Sequence, residues 1–201
     1  MKGTRPSLRI VPAKEASCDD LRTILGTRGQ GSRCQCQRYK LLPGESFASF
    51  PVEERAHRLR GQTDCGHAES DTTSGLVGYL DGEPVGWCAV EPRPEYGGLV
   101  NNSRVPWAGR SEDRIDRGVW ALTCLFTRAG FRRRGISRDL AVAAVDVARD
   151  HGARAIEGYP MTTTKAIEEE LHVGTSGTFT AAGFAEVGRP TPRRSVMRLE
   201  F

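Results

Sequence analysis

Three arginines stand side by side in Phe131-Arg132-Arg133-Arg134-Gly135-Ile136-Ser137, and a glycine and a small hydroxyl residue follow them. Adjacent cations repel one another, and an anion is the first candidate for the missing counter-charge. The stretch lies between Val119 to Thr127, an almost continuous apolar run, and a segment ending at Gly152 that carries Leu140, Ala144, Val147 and Ala148 at helical spacing. At a strand-to-helix junction the first helical N–H groups lack intrahelical partners and carry the positive end of the dipole. Gly135 lets the backbone approach an anion, Ser137 keeps the next turn open, and the arginines add charge. These residues describe a phosphate cradle. They lack the Lys-Ser/Thr ending of a nucleotide P-loop and the spaced glycines of a dinucleotide fingerprint.

A second group of reactive side chains is Cys34-x-Cys36 with Cys65-x-His67. Zinc would accept four such ligands in tetrahedral geometry. The spacing is not that of common zinc modules, and a predicted helix separates the two pairs, so structural thiols are the preferred reading and no metal is assigned. The six cysteines (Cys18, Cys34, Cys36, Cys65, Cys88 and Cys124) do not form a disulfide scaffold in a chain of 201 residues; most are expected to be free thiols in a reducing compartment.

The elements that must position these residues form an α/β pattern, expected as one domain over residues 1–201. Charged residues at 27% and hydrophobic residues at 38% describe a soluble protein, and a net charge of +4 permits a phosphate-rich ligand without demanding nucleic acid. No apolar run approaches the roughly 18 residues needed to span a bilayer. The first residues lack the apolar stretch of a signal peptide, so a cytoplasmic location is expected. A strand is predicted at Arg9 to Val11 and ends at Pro12. A helix is predicted from Asp19 to Leu25, broken by the glycine-rich run 26–32, and another from Pro51 to Leu59. The clearest hairpin is Gly75 to Pro92, with an Asp81-Gly82 turn. Residues 93–118, rich in Pro, Gly, Asn and charge, read as a long functional or mobile loop. The strand from Val119, the cradle, the helix and a strand from Ala153 to Tyr159 make a βαβ unit, the expected binding core at about 119–160. A short helix from Thr175 to Gly183 and closing strands at Phe184 to Val187 and Ser195 to Phe201 complete the pattern.

Arg132, Gly135 and Ser137 form R-x-x-G-x-S, which resembles the Q/R-x-x-G-x-G/A signature of the GNAT superfamily of N-acetyltransferases; Ser137 replaces the final small residue. The hairpin, strand, loop and helix around it, and the late Ala181 to Arg189 stretch with its Gly183-Phe184, extend the resemblance from about Gly75 to the end of the chain. The resemblance implies a GNAT fold, a central mixed sheet splayed at its middle and flanked by helices, with acetyl-CoA in the gap. It also implies that backbone groups of Leu125 and Thr127 pair with pantetheine amides. The pyrophosphate would lie in the loop Arg132, Arg133, Arg134, Gly135, Ile136 and Ser137, extended by Arg138.

Acyl transfer to an amine needs a neutral amine held about 3 Å from the thioester carbonyl and relieved of a proton during attack. Glu157 lies on the strand after the helix, where some members of the family carry a glutamate, and is the candidate base; the other reading is an exposed strand carboxylate, or one paired to an arginine. The family's acid, a tyrosine four residues before the glycine of Gly-Phe, is replaced by Phe179. Tyr159, Ser176 and His172 are candidate replacements. Cys124 reads as a core cysteine rather than an acyl-enzyme nucleophile, because no base is placed beside it. Arg38, Tyr39 and the 93–118 loop with Trp107 are candidate walls of the acceptor site; His57 and His151 read as surface groups.

The expected activity is acetyl transfer from acetyl-CoA to a primary amine on a small molecule or a protein. The alternatives are an aminoacyl-tRNA donor on the same fold, which would be the one nucleic-acid partner, or a silent acyl-CoA-binding module. No membrane partner is expected, and a homodimer is compatible with the family.

Overall fold

The computed structural model describes residues 8–201, apart from the side chains of Glu168 and Glu169. Among the described residues, seven strands form one sheet in the order β1-β2-β3-β4-β5-β7-β6. β1 (Leu8–Pro12) lies antiparallel to β2 (Leu76–Leu80), and β2 forms the predicted hairpin with β3 (Glu83–Pro92). Asp81 and Gly82 at its turn both have positive φ, 51° and 86°, as a two-residue turn matched to strand twist requires. β3 is antiparallel to β4 (Val119–Thr127). α4 (Ile136–Asp150) then crosses over, and β5 (Ala155–Gly158) is parallel to β4. β7 (Arg194–Glu200) pairs with β5 on one side and with β6 (Ala185–Thr191) on the other, both antiparallel.

Two features open the middle of this sheet. β5 pairs with β4 only from Val119↔Ala155 to Leu122↔Gly158, whereas β4 continues to Thr127. At that limit β4 carries a bulge: Ala89 faces Cys124 and Val90 faces Leu122, so Thr123 is the extra residue. A bulge bends its strand and increases local twist. It also changes the alternation, so Leu122 and Leu125 share the face covered by α4, whereas Cys124 lies on the opposite face.

On the α4 face, Ile136, Leu140, Ala141, Ala144, Val145 and Ala148 pack against Leu76, Val85, Cys88 and Val90. Full burial of a side chain such as Leu140 contributes about 1.5–3 kcal/mol. On the other face, α1 (Cys18–Leu25) buries Leu21, Ile24 and Leu25 against Val77, Trp87 and Ala89, together with Leu59 from α3 (Val52–Thr63). Ser17 caps α1 in a reciprocal box with Asp20, and the Tyr79 hydroxyl donates to Asp20 at 2.8 Å.

Several boundaries differ from expectation. The glycine-rich run does break α1 at Gly26, but Gly29–Cys34 then forms a further short helix, α2. A Cβ at Gly31 would stand 2.6 Å from the Leu25 carbonyl and 2.8 Å from the Phe126 ring, so glycine is what lets this helix seat on the sheet. The 93–118 segment is folded: it contains single helical turns, and its Tyr96, Leu99 and Trp107 form a small core with Ala121, Tyr159 and Val196. Cys18 and Cys65 are disulfide-bonded, with Cα atoms 5.1 Å apart, whereas Cys34, Cys36, Cys88 and Cys124 are free. α5 (Glu168–Leu171) and α6 (Ser176–Ala181) complete the chain. Phe179, on α6, is fully buried, and a Cβ at Gly158 would lie 1.9 Å from its ring. The aromatic residue standing in for the family's tyrosine is therefore a core residue that requires glycine opposite it. No helix among the described residues is long and apolar enough to cross a membrane.

Candidate active site

Two cavities adjoin the splayed strands. The first, of about 240 Å³, is lined by Leu125, Phe126 and Thr127 of β4, by Arg132, Arg133 and Ser137, and by Gln30, Gly31, Cys34, Cys36 and Cys124. Leu171 and His172 form its remaining wall with Leu25. The Thr127 and Ser137 hydroxyls are 3.0 Å apart, which ties the end of β4 to the first turn of α4. Gly135 is the N-cap of α4, with φ 85° and no side-chain cap. The Ile136 and Ser137 amides thus open the helix without a capping oxygen, the arrangement that binds anions. A Cβ on Gly135 would meet only Arg138 and Asp139 side-chain atoms, at 3.9 Å, so glycine is needed for its left-handed backbone rather than for space.

The other loop residues divide by contact. Arg132 and Arg133 reach the cavity wall. Arg134 lies over the Phe131 ring and donates to the Gly130 carbonyl at 3.2 Å, and Arg138 pairs with Asp139 at 2.9 Å. The Ile136 side chain is buried in the core, leaving its backbone to face a ligand. Along β4, the Leu125 amide donates to the His172 carbonyl at 2.7 Å. The chain's own segment therefore holds the amide assigned above to pantetheine.

Glu157 is fully buried and saturated. One carboxylate oxygen accepts from Arg110 at 2.5 Å and Arg198 at 2.9 Å; the other accepts from Arg93 at 3.3 Å and the Tyr159 hydroxyl at 2.9 Å. Glu112 joins the same arginines. Burial pushes the Glu157 carboxyl up, but Arg110 and Arg93 outweigh it and hold the group below its usual range. An ionised carboxylate with both oxygens engaged is a weak proton acceptor. Burial, reinforced by Glu157, pushes the Tyr159 phenol well above its usual value. Ser176 is bonded to the Met161 carbonyl at 3.3 Å and to the Ser195 hydroxyl at 3.1 Å.

The second cavity, of about 270 Å³, lies on the other side of Tyr159. It is assembled from four separate segments: Arg38 and Tyr39; Ser103, Arg104, Val105 and Pro106; Tyr159; and Pro190, Arg194 and Ser195. Arg38 and Tyr39 thus share a wall with the 93–118 segment. Tyr39 lines only this second cavity. Its ring lies 6.3 Å from that of His172, which lines the first cavity. Its phenol is pushed up by burial, against the pull of Arg194 and Arg38, and also feels Cys124 and Cys34. Tyr39 was legible as a wall residue, but its place beside His172 was not, because only the folded chain brings the two rings together.

Cys34, Cys36, Cys65 and His67 do not come together as one ligand set. Cys65 is bonded to Cys18, and exposed His67 pairs with Asp64 at 3.0 Å. Among the described residues, no group of three or more His, Cys, Asp or Glu side chains is arranged to hold a metal. The hydrogen bond to Cys36, with burial, pushes the Cys124 thiol well up, which disfavours a thiolate nucleophile. His57 and His151 are exposed.

In the first cavity an apolar wall of Leu25, Leu125 and Phe126 leads to arginines and a helix N-terminus suited to phosphate. A splayed α/β sheet with such a cleft and an adjoining second cavity defines an acyltransferase class of fold. Residues 39–167 match the Acetyltransferase (GNAT) family, and the chain belongs to that family. Its fold is shared by PaiA N-acetyltransferase from Thermoplasma acidophilum in complex with coenzyme A (14% identity, 97% of this chain and 99% of that one, TM-score 0.53). It is also shared by an N-acetyltransferase from Staphylococcus aureus Mu50 (12%, 98% and 99%, 0.55). A third similar structure is YncA, a putative acetyltransferase from Salmonella typhimurium with acetyl-CoA (13%, 96% and 93%, 0.52). No curated protein matches the chain in sequence.

Proposed function

We propose that the protein transfers an acetyl group from acetyl-CoA to a primary amine by direct attack. The observation that carries this reading is a cavity that ends at an uncapped helix N-terminus beside two arginines, with a second cavity whose Tyr39 ring lies 6.3 Å from the His172 ring of the first. Acetyl-CoA supplies the thioester. The Ile136 and Ser137 amides, with Arg132 and Arg133, hold its phosphates, and Thr127 and Ser137 shape the passage toward β4. Leu125 offers its amide to the donor when His172 gives it up. The amine enters through the second cavity as the free base, its nitrogen bonds the acetyl carbon, and the carbon–sulfur bond breaks. The amine proton and the thiolate must then be handled. Tyr39 is the hydroxyl best situated to protonate the sulfur, since Tyr159 is committed to Glu157 and Ser176 stands behind Ser195, and the proton released by the nitrogen returns through water to restore the Tyr39 phenol. Glu157 is a positioning residue that fixes Tyr159 and the arginine-rich wall.

The test is calorimetric titration with acetyl-CoA, coenzyme A and ATP, followed by thiol release with a panel of amines. Selective binding of both coenzyme A species over ATP, together with amine-dependent thiol release, is the expected result; no binding of either overturns the donor assignment. Buried Phe179 and the engaged Leu125 amide favour one second reading, a silent acyl-CoA-binding module. Tight binding without thiol release for any amine would select it.

A further inference from the structure

We propose that the acceptor is a small amine that also carries a carboxylate or a phosphate, bound in the second cavity by Arg38, Arg104 and Arg194. This rests on the acyl-transfer reading of the first cavity. Three arginines from three distant segments line this one space of about 270 Å³, and no aspartate or glutamate lines it with them. Among the described residues, no carboxylate pairs with any of the three. The Nε of Arg38 is buried without a hydrogen-bond partner; that guanidinium lies over the Phe47 ring, 4.6 Å from its centroid.

A folded chain seldom gathers cations in a concave site unless something else supplies the negative charge. Arginine's planar fork is suited to carboxylate and phosphate oxygens, and Tyr39, Ser103 and Ser195 add hydroxyls to the same wall. The volume lies just below the range of about 300–1,000 Å³ typical of ligand pockets, which suits a compact acceptor.

The same charges serve the chemistry. A cationic surround disfavours the ammonium form of a bound amine, lowering its pKa. An acceptor anchored by its anion thus presents its amine as the free base that attack requires. The arginines supply electrostatically what saturated Glu157 does not supply as a base.

The test is calorimetry with matched amines that differ by the anionic group: 4-aminobutyrate against butylamine, and O-phosphoethanolamine against ethanolamine. Each is titrated in the presence and absence of coenzyme A. The anionic member of at least one pair binds at least tenfold more tightly, and Arg194→Met and Arg104→Met each remove most of that preference while melting remains cooperative. Equal affinity within both pairs, or a preference untouched by both substitutions, overturns the proposal. The donor reading is scored separately by acetyl-CoA binding to the unmodified protein, so loss of that binding with the anion preference intact condemns the donor assignment alone. A carboxylate-only or phosphate-only preference identifies which anion the site takes.

Discussion

Tyr159 divides two arginine clusters of opposite character. Behind it, Arg93, Arg110 and Arg198 converge on Glu157 and Glu112, and Glu200 also pairs with Arg198, so three carboxylates answer three guanidinium groups. In front of it, Arg38, Arg104 and Arg194 line a cavity without a carboxylate. The first cluster ties the 93–118 segment to β5 and β7; Arg93 also donates to the Arg114 and Asp113 carbonyls, and Trp107 is surrounded by Arg93, Arg110 and Arg114 at 5.0–5.1 Å. An arginine answered by a carboxylate of its own chain holds the fold. One left unanswered in a cavity is available to a ligand.

The largest effect should come from breaking the matched side. Glu157→Gln leaves arginines in the interior without their central counter-ion, and about 3 kcal/mol of stability should be lost in chemical denaturation. An unchanged unfolding midpoint would reduce that cluster to surface-like weight. On the unmatched side, Arg194→Met should leave stability within about 0.5 kcal/mol of the unmodified protein. Binding of an anionic amine should instead fall at least tenfold, about 1.4 kcal/mol. If Arg194→Met destabilises as much as Glu157→Gln, the two clusters do not differ in kind.

Gly135→Ala should cost about 1 kcal/mol or slightly more, because alanine is strained at φ 85°. Coenzyme A affinity should fall with it. Loss of stability without loss of affinity would separate the helix start from the phosphate site.

The smallest effect concerns pH. Glu157 titrates below its ordinary value of about 4.5 in the folded protein. Its contribution is therefore complete above that value and is lost as pH falls through the lower folded value. The stability difference between the unmodified protein and Glu157→Gln should be flat near neutrality and shrink below about pH 4. A difference that instead grows on acidification would contradict the depressed carboxyl.

The elements that the sequence made legible are those whose signals are local. Asp81-Gly82 specifies its turn by the backbone it tolerates, and the Val119 to Asp150 stretch carries strand, cradle and helix in unbroken order. Chain-distant contacts were hidden. Nothing near Cys18 announces Cys65, and nothing near Gly31 announces the Phe126 ring that makes glycine necessary. Glu157 was legible as a chemical group, yet the arginines that occupy it come from two other parts of the chain, the 93–118 segment and β7. The second cavity is the extreme case, since no window of sequence contains more than a fraction of its wall.

Thr123 gives the cleft an origin that can be counted. β4 holds one surplus residue relative to β3, placed where β5 ceases to pair. Deleting Thr123 would keep Cys124 and Leu125 on their present faces, because the alternation on either side of the bulge would then join without a break. The strand would straighten, however, and Thr127 and the loop after it would be drawn back by one strand residue, about 3.3 Å. The binding cleft is thus made by addition, and a single-codon deletion is the smallest edit expected to close it while leaving the core composition almost unchanged.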